Sequence, residues 1–222
     1  IIYKKVDKMR YLIVCGGKTD KEFGLKEIKT DGIDVIIAAD SGMDFLYENG
    51  VTPDIIVGDF DSATTKALEY FERKGQTEIH RLNPIKDDTD TEYAIRLAIR
   101  EGARSIVLLG ATGSRIDHVL GNISLLGIGL ESGTDISIID TNNRIRMADK
   151  PVTIEKSAQY GRFVSLIALT DDNEVSLKGF KYPVTDYSFD RFTSLGISNE
   201  IVDDHALIDI HRGKFIIIES KD

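Results

Sequence analysis

The stretch DIIVGDFDS, residues 54–62, decides how the chain is read: an apolar run ends on two carboxylates, Asp59 and Asp61, with Phe60 between them. A run hydrophobic on both faces suits a strand of a parallel sheet covered by helices on both sides. On extended backbone, residues two apart point to the same face, so Asp59 and Asp61 are expected to point together and Phe60 away from them. Open α/β sheets bind ligands in the crevice beyond the carboxyl ends of their strands. Two carboxylates aimed into such a crevice repel each other unless a cation lies between them. A hard divalent cation with oxygen preference is the natural occupant, and magnesium commonly binds through one or two carboxylates plus substrate phosphates.

The same pattern recurs on either side. RYLIVCGG (10–17), DVIIAAD (34–40), SIVLLGATG (105–113) and DISIIDTN (135–142) are short apolar runs that end in Gly, Asp or Asn. Between them lie helix-like stretches, SGMDFLYENG (41–50), SATTKALEYFERKG (62–75) and TDTEYAIRLAIREG (89–102). In the last, Ala94, Leu97 and Ala98 share one face at i, i+3, i+4 spacing. Gly75 and Gly102 stand where C-caps are expected. Strands alternating with helices of this length imply βαβ crossovers. The expectation is an α/β domain over residues 9–148, a doubly wound and mostly parallel sheet with helices on both faces. Past Lys150 and Pro151 the texture changes to shorter pieces: RFVSLIALT, NEVSLKGF, HALIDI and KFIIIES. The last two are joined by HRG, which reads as a hairpin connection. Residues 149–222 are therefore expected to form a smaller antiparallel, β-sandwich-like domain.

Bulk composition narrows the classes. The 222 residues are 41% hydrophobic and 29% charged, an ordinary globular profile, and the net charge of −9 argues against a nucleic-acid partner, which calls for a basic face. No apolar stretch approaches the roughly 20 residues needed to span a bilayer. The segment IIYKKVDKMRY has neither a long apolar core nor a small-residue cleavage site, so no signal peptide is expected and a cytoplasmic setting is. Met9 directly precedes RYLIVCGG, so residues 1–8 read as an upstream extension or a non-native addition rather than part of the fold. Cys15 is the only cysteine and sits in an apolar run, as a buried structural thiol does.

A second acidic cluster stands in KDDTDTEYAI (86–95), where Thr89 and Glu92 fit a capping box and Asp87 and Asp90 fall at the helix N-terminus. Helix capping alone explains one or two of these acids. Together with the first cluster they can complete a metal site of Asp59, Asp61, Asp87 and Asp90. LLGATGSRIDHVLGNISLL (108–126) offers a Gly-rich turn before a helix, a usual phosphate approach, with Thr112, Gly113, Arg115, Asp117 and His118 as nucleotide-side candidates. Asp117 could accept from ribose or hold Arg115; His118 has the plainer reading of a satisfied side chain at a helix start. AADSGMDFLYENG places Asp40, Ser41 and Gly42 at a third strand-to-helix junction, with Ser41 a good N-cap. GGKTD (16–20) lacks the Walker spacing and is not read as a P-loop.

GDFDS, KDDTDTEYAI and GATGSRIDHVLGN, in this order, resemble the bacterial thiamine pyrophosphokinase family. The resemblance runs from about Tyr11 to the C-terminus, with AADSGMDFL and SLGISNE (194–200) as weaker partners. It implies an N-terminal domain carrying ATP and Mg²⁺, a C-terminal β domain, and a homodimer whose interface helps bind thiamine. It also implies transfer of the diphosphate of ATP to the hydroxyethyl group of thiamine, giving thiamine diphosphate and AMP. Asp59, Asp61 and Asp90 match the family's metal and catalytic acids, with Asp87 a fourth. Arg115 and Asp117 match nucleotide-side positions, and Ser198 and Asn199 fall on the thiamine-side segment. The chain has no Trp, so the tryptophan that packs on thiamine in some animal relatives has no counterpart here. The rival readings are another ATP-dependent kinase or nucleotidyltransferase on the same scaffold, or a non-catalytic nucleotide sensor.

Overall fold

The structure is a computed structural model and describes residues 9–60, 65–83, 88–113 and 115–222. It divides into two compact units, the first ending at Thr141 and the second spanning Asn142–Asp222. The sequence expectation of a change at 148/149 falls one strand later, because the strand that opens the second unit pairs with the last strand of the chain.

In the first unit the strands are β1 (Met9–Val14), β2 (Val35–Ala39), β3 (Ile55–Gly58), β4 (Glu78–Arg81), β5 (Ala103–Leu109) and β6 (Asp135–Ile139). The helices are α1 (Lys21–Ile28), α2 (Gly42–Glu48), α3 (Thr65–Lys74), α4 (Asp90–Arg100), α5 (Ile116–Leu125) and α6 (Gly127–Ser132). All strands pair in parallel, in the order β6-β5-β1-β2-β3-β4. The order reverses at β1, which has β2 on one side and β5 on the other. That switch point opens a crevice beyond the carboxyl ends of β1 and β5.

Alternation along the strands splits the core into two layers. Leu12, Val14, Ala38 and Ile56 pack with Met43 and Leu46 of α2 and Ala67 and Phe71 of α3. Tyr11, Ile13 and Ile37 point to the opposite face, where α4 buries Ala94, Ile95, Leu97 and Ala98. The periodicity read from TDTEYAIRLAIREG is therefore the buried face of α4. Thr89 caps this helix by accepting from the Glu92 amide, while the Glu92 carboxylate takes Arg96 one turn on. Gly75 and Gly102 stand at φ +63° and +93° just past α3 and α4, as expected of left-handed C-caps.

The second unit carries β7 (Asn143–Ala148), β8 (Val152–Glu155), β9 (Phe163–Ala168), β10 (Glu174–Lys178), β11 (Val184–Ser188), β12 (Asn199–Glu200), β13 (His205–Arg212) and β14 (Phe215–Ser220). Two antiparallel sheets form, β12-β9-β14-β7 and β11-β10-β13-β8. Val164 and Leu166 of the first sheet share one core with Val175, Leu177, Ala206 and Ile208 of the second, the section of a sandwich. The expected hairpin at HRG is corrected. β13 pairs with β10 and β8, whereas β14 pairs with β7 and β9, so the turn at Gly213 carries the chain from one sheet to the other. The apolar sides of both strands reach the same core because Ala206, Ile208 and Ile210 face Phe215 and Ile217 across it. Among the described residues no helix is long and apolar enough to cross a membrane.

One contact sets how closely α2 approaches the sheet. A Cβ on Gly42, the first residue of α2, would lie 2.0 Å from the Val14 carbonyl oxygen. Neither partner is a movable side chain, so Gly42→Ala is expected to cost about 1–3 kcal/mol in urea unfolding, the range of an overpacked site. An unchanged midpoint would contradict this packing.

Candidate active site

Asp40, Asp59 and Asp90 each offer a carboxylate oxygen, and the three oxygens lie within 4.8 Å of one another. They come from three elements. Asp40 follows the last residue of β2, Asp59 the last residue of β3, and Asp90 opens α4. The register pairs Ala39, the last residue of β2, with Val57, so β3 ends one residue beyond β2, and the Asp40 amide continues the ladder to the Val57 carbonyl at 2.8 Å. Backbone turning then aims the side chains. Asp40 has φ +50° and Phe60 has φ +59°, both in the left-handed region that non-glycine residues seldom occupy. All three acids are half-buried. An all-oxygen carboxylate set at this spacing could hold a hard divalent cation.

Of the four metal candidates read from sequence, Asp59 and Asp90 come together in this cluster; Asp61 and Asp87 lie outside the described residues. Asp40 completes the group although it was read as a nucleotide-side residue. The signal was present, since AAD and VGD are the same strand-then-carboxylate pattern on adjacent strands. The expectation that Phe60 continues extended backbone is corrected. β3 ends at Gly58, and Phe60 turns left-handed, so strand alternation no longer applies beyond that point.

The crevice at the switch point is lined by backbone. The Gly17 amide donates to the Gly110 carbonyl at 2.9 Å, and a Cβ on Gly17 would lie 2.3 Å from that oxygen and 3.4 Å from the Gly113 Cα. GGKTD and GATG therefore interlock as two close-packed loops, although GGKTD was set aside for want of Walker spacing. Thr112 donates its hydroxyl to Asp140 at 2.7 Å, and Asn122 of α5 donates to the Ala111 carbonyl at 2.8 Å, so both flanks of the loop are tied down. Ser41 occupies the N-cap position of α2 without making a side-chain cap, which corrects its expected role; a Cβ on Gly16 would meet its hydroxyl at 2.2 Å. Cys15 is buried beside this loop, its thiol pushed up to about 11 by burial, with Thr91 donating to Sγ at 3.7 Å. It is a packing residue rather than a nucleophile.

Arg115 caps α5 by position, and its guanidinium pairs with Asp117 at 2.6 and 3.2 Å. The Asp117 carboxylate also accepts from the His118 amide at 2.9 Å. Both side chains are exposed, as is His118. Of the two uses foreseen for Asp117, holding Arg115 is the one present. In the second unit, Ser198 has φ +61° and its amide donates to the Ser165 hydroxyl. Asn199 is buried and bridges the main chain of Tyr182, accepting from its amide at 3.1 Å and donating to its carbonyl at 2.9 Å. Its side chain thus fixes the Tyr182 loop, while Ser198 stays exposed beside it.

The hydrogen bond from Arg115, with the His118 amide adding to it, holds the Asp117 carboxyl down at about 2, below its ordinary value near 4. A depressed acid stabilises its ionised arrangement above the ordinary value, and that contribution is lost as pH falls through the depressed one. The Arg115–Asp117 pair should therefore persist at pH 4 and open as pH falls through about 2. An NMR titration should show the Asp117 midpoint near the lower value, and Arg115→Gln should return it to the ordinary carboxylate range. An unshifted midpoint in the parent protein would contradict the pair.

Comparison with known proteins follows the same division of the chain. A family model described as "Thiamin pyrophosphokinase, catalytic domain" matches residues 29–138, and one described as "Thiamin pyrophosphokinase, vitamin B1 binding domain" matches residues 151–215. The thiamine pyrophosphokinase of Bacillus subtilis (strain 168) is 34% identical over 195 residues, covering 87% of this chain and 90% of that protein. A crystal structure of thiamine pyrophosphokinase from Bacillus subtilis superposes with a TM-score of 0.86 at 30% identity, over 96% of this chain and 99% of that one. The yeast thiamin pyrophosphokinase structure, at 18% identity and a TM-score of 0.79 over 99% of this chain and 88% of that one, shares the fold. With both domain models matched in order and a relative of this identity aligned along nearly its whole length, the chain belongs to the thiamin pyrophosphokinase family.

Proposed function

We propose that Asp40, Asp59 and Asp90 hold the magnesium ion at which the diphosphate of ATP is transferred to the hydroxyethyl oxygen of thiamine. The observation that carries this reading is the approach of three carboxylates, from three separate elements, to within 4.8 Å of one another beyond the sheet. When bound, the ion supplies neutralising charge for the phosphate oxygens. Asp61 and Asp87, two and three positions from Asp59 and Asp90 in the sequence, are the further candidate ligands, and both lie outside the described residues.

The chain's own residues supply the rest. The interlocked Gly17 and Gly113 loops let backbone approach the triphosphate, and the first turn of α5 presents amide groups and Arg115 to it. Ser41, Gly42, Thr112, Asp117 and His118 complete the nucleotide side, with Thr112 acting through its bond to Asp140. On the thiamine side, Ser198 contacts the substrate and Asn199 shapes the Tyr182 loop. The thiamine hydroxyl oxygen forms a bond to the β-phosphorus as the bond to the bridging oxygen of AMP breaks. Its proton passes to a carboxylate oxygen of Asp61 or Asp90. The cationic substrate and the acidic site attract each other. A homodimer and a cytoplasmic setting belong to the same reading.

Incubation with thiamine, ATP and Mg²⁺ should yield AMP and thiamine diphosphate in equal amounts by mass detection. ADP would indicate a simple kinase, and inorganic pyrophosphate a nucleotidyl transfer. Asp59→Asn and Asp90→Asn should each lower turnover by roughly a hundredfold or more, as loss of transition-state charge stabilisation does, with thermal stability nearly unchanged. Parent-like turnover in both variants would remove these acids from the mechanism.

A further inference from the structure

We propose that Phe60, the residue between the two aspartates of GDFDS, is a positioning residue that aims the Asp59 carboxylate at Asp40 and Asp90. A bulky side chain at φ +59° is held there only by its surroundings. Three contacts hold this one. The ring folds back onto Gly58: a Cβ there would meet the ring's Cε1 at 2.9 Å and Cδ1 at 3.1 Å. Its inner edge packs against the apolar layer that contains Ile56 and Phe71. The Arg81 guanidinium, from the end of β4, sits 5.4 Å from the ring centroid and is itself ion-paired to Glu72 of α3.

Glu72, Arg81, Phe60 and Gly58 thus form a stack that runs from α3 across the ends of β4 and β3. The same hypothetical Cβ of Gly58 would stand 3.3 Å from the Asp40 Cα, so the stack ends against the neighbouring ligand strand. Fixing the ring fixes the peptide between Asp59 and Phe60, and with it the direction of the Asp59 side chain. Glycine is thereby required at 58, and an aromatic ring at 60 serves the site without touching substrate.

The inference rests on the metal reading above, and its test separates the two. Mn²⁺ binding to the nucleotide-free protein, followed by electron paramagnetic resonance, is measured beside the thermal unfolding midpoint. Phe60→Gly relaxes the left-handed backbone and deletes the ring; measured at a temperature where the unfolding curve shows the variant folded, it should weaken Mn²⁺ binding by about tenfold or more, as loss of a ligand-orienting group does. Phe60→Tyr, which keeps the ring, should bind Mn²⁺ as the parent does. Should Phe60→Gly be too unstable to assay, Phe60→Leu, which keeps apolar bulk on Gly58 but offers Arg81 no flat face, should show a smaller loss in the same direction. Parent-like binding in the glycine or leucine variant, or an equal loss in the tyrosine variant, overturns the positioning role and leaves the metal site standing. A parent protein that binds no Mn²⁺ overturns both.

Discussion

Three negative charges held within a few ångströms of one another are the constraint on which the rest of the site depends. Such a grouping is unfavourable in a folded chain unless it is bought by rigid surroundings and relieved by a partner of opposite charge. Here the rigidity comes from parallel strands in register: β2 and β3 end within one residue of each other, and α4 begins where its first residue reaches both ends. The two left-handed residues, Asp40 and Phe60, are the cost of turning each chain abruptly enough to bring the carboxylates together.

The switch point of the sheet contributes the second half. Beyond β1 and β5 the backbone is kept close by glycine, with Gly17 and Gly110 hydrogen-bonded and no room for side chains between them. Side-chain-free backbone beside an acidic, cation-seeking cluster is what a metal–polyphosphate ligand needs. The family assignment then joins this geometry to a particular chemistry, in which the accepting molecule is itself a cation.

Much of this was legible in the sequence, for reasons that can be located. The alternation of apolar runs with helix-period segments gave the parallel α/β unit, since buried parallel strands and amphipathic helices leave different periods. Asp59 and Asp90 stood out because carboxylates at strand ends and helix starts are chemically conspicuous. Asp40 was seen but given a different role, because strand register, not local spacing, places it beside Asp59. Phe60 was misjudged because the period-two rule was carried past the last residue of β3. The HRG turn shows another limit: the residues that suit a hairpin also suit a crossing between sheets, and only the partners of β13 and β14 tell them apart. The bonds from Thr112 to Asp140 and from Asn199 to Tyr182 join residues 28 and 17 positions apart, beyond the reach of any local pattern.

In the proposed site Asp40, Asp59 and Asp90 share one divalent cation. Crystals grown with Mn²⁺, thiamine and a non-hydrolysable ATP analogue would test it through the anomalous scattering of manganese. A shared ion should give a peak within coordination distance of all three carboxylates, beside the β-phosphate of the analogue. A peak elsewhere, or clear density for the nucleotide with no metal at the cluster, would contradict it.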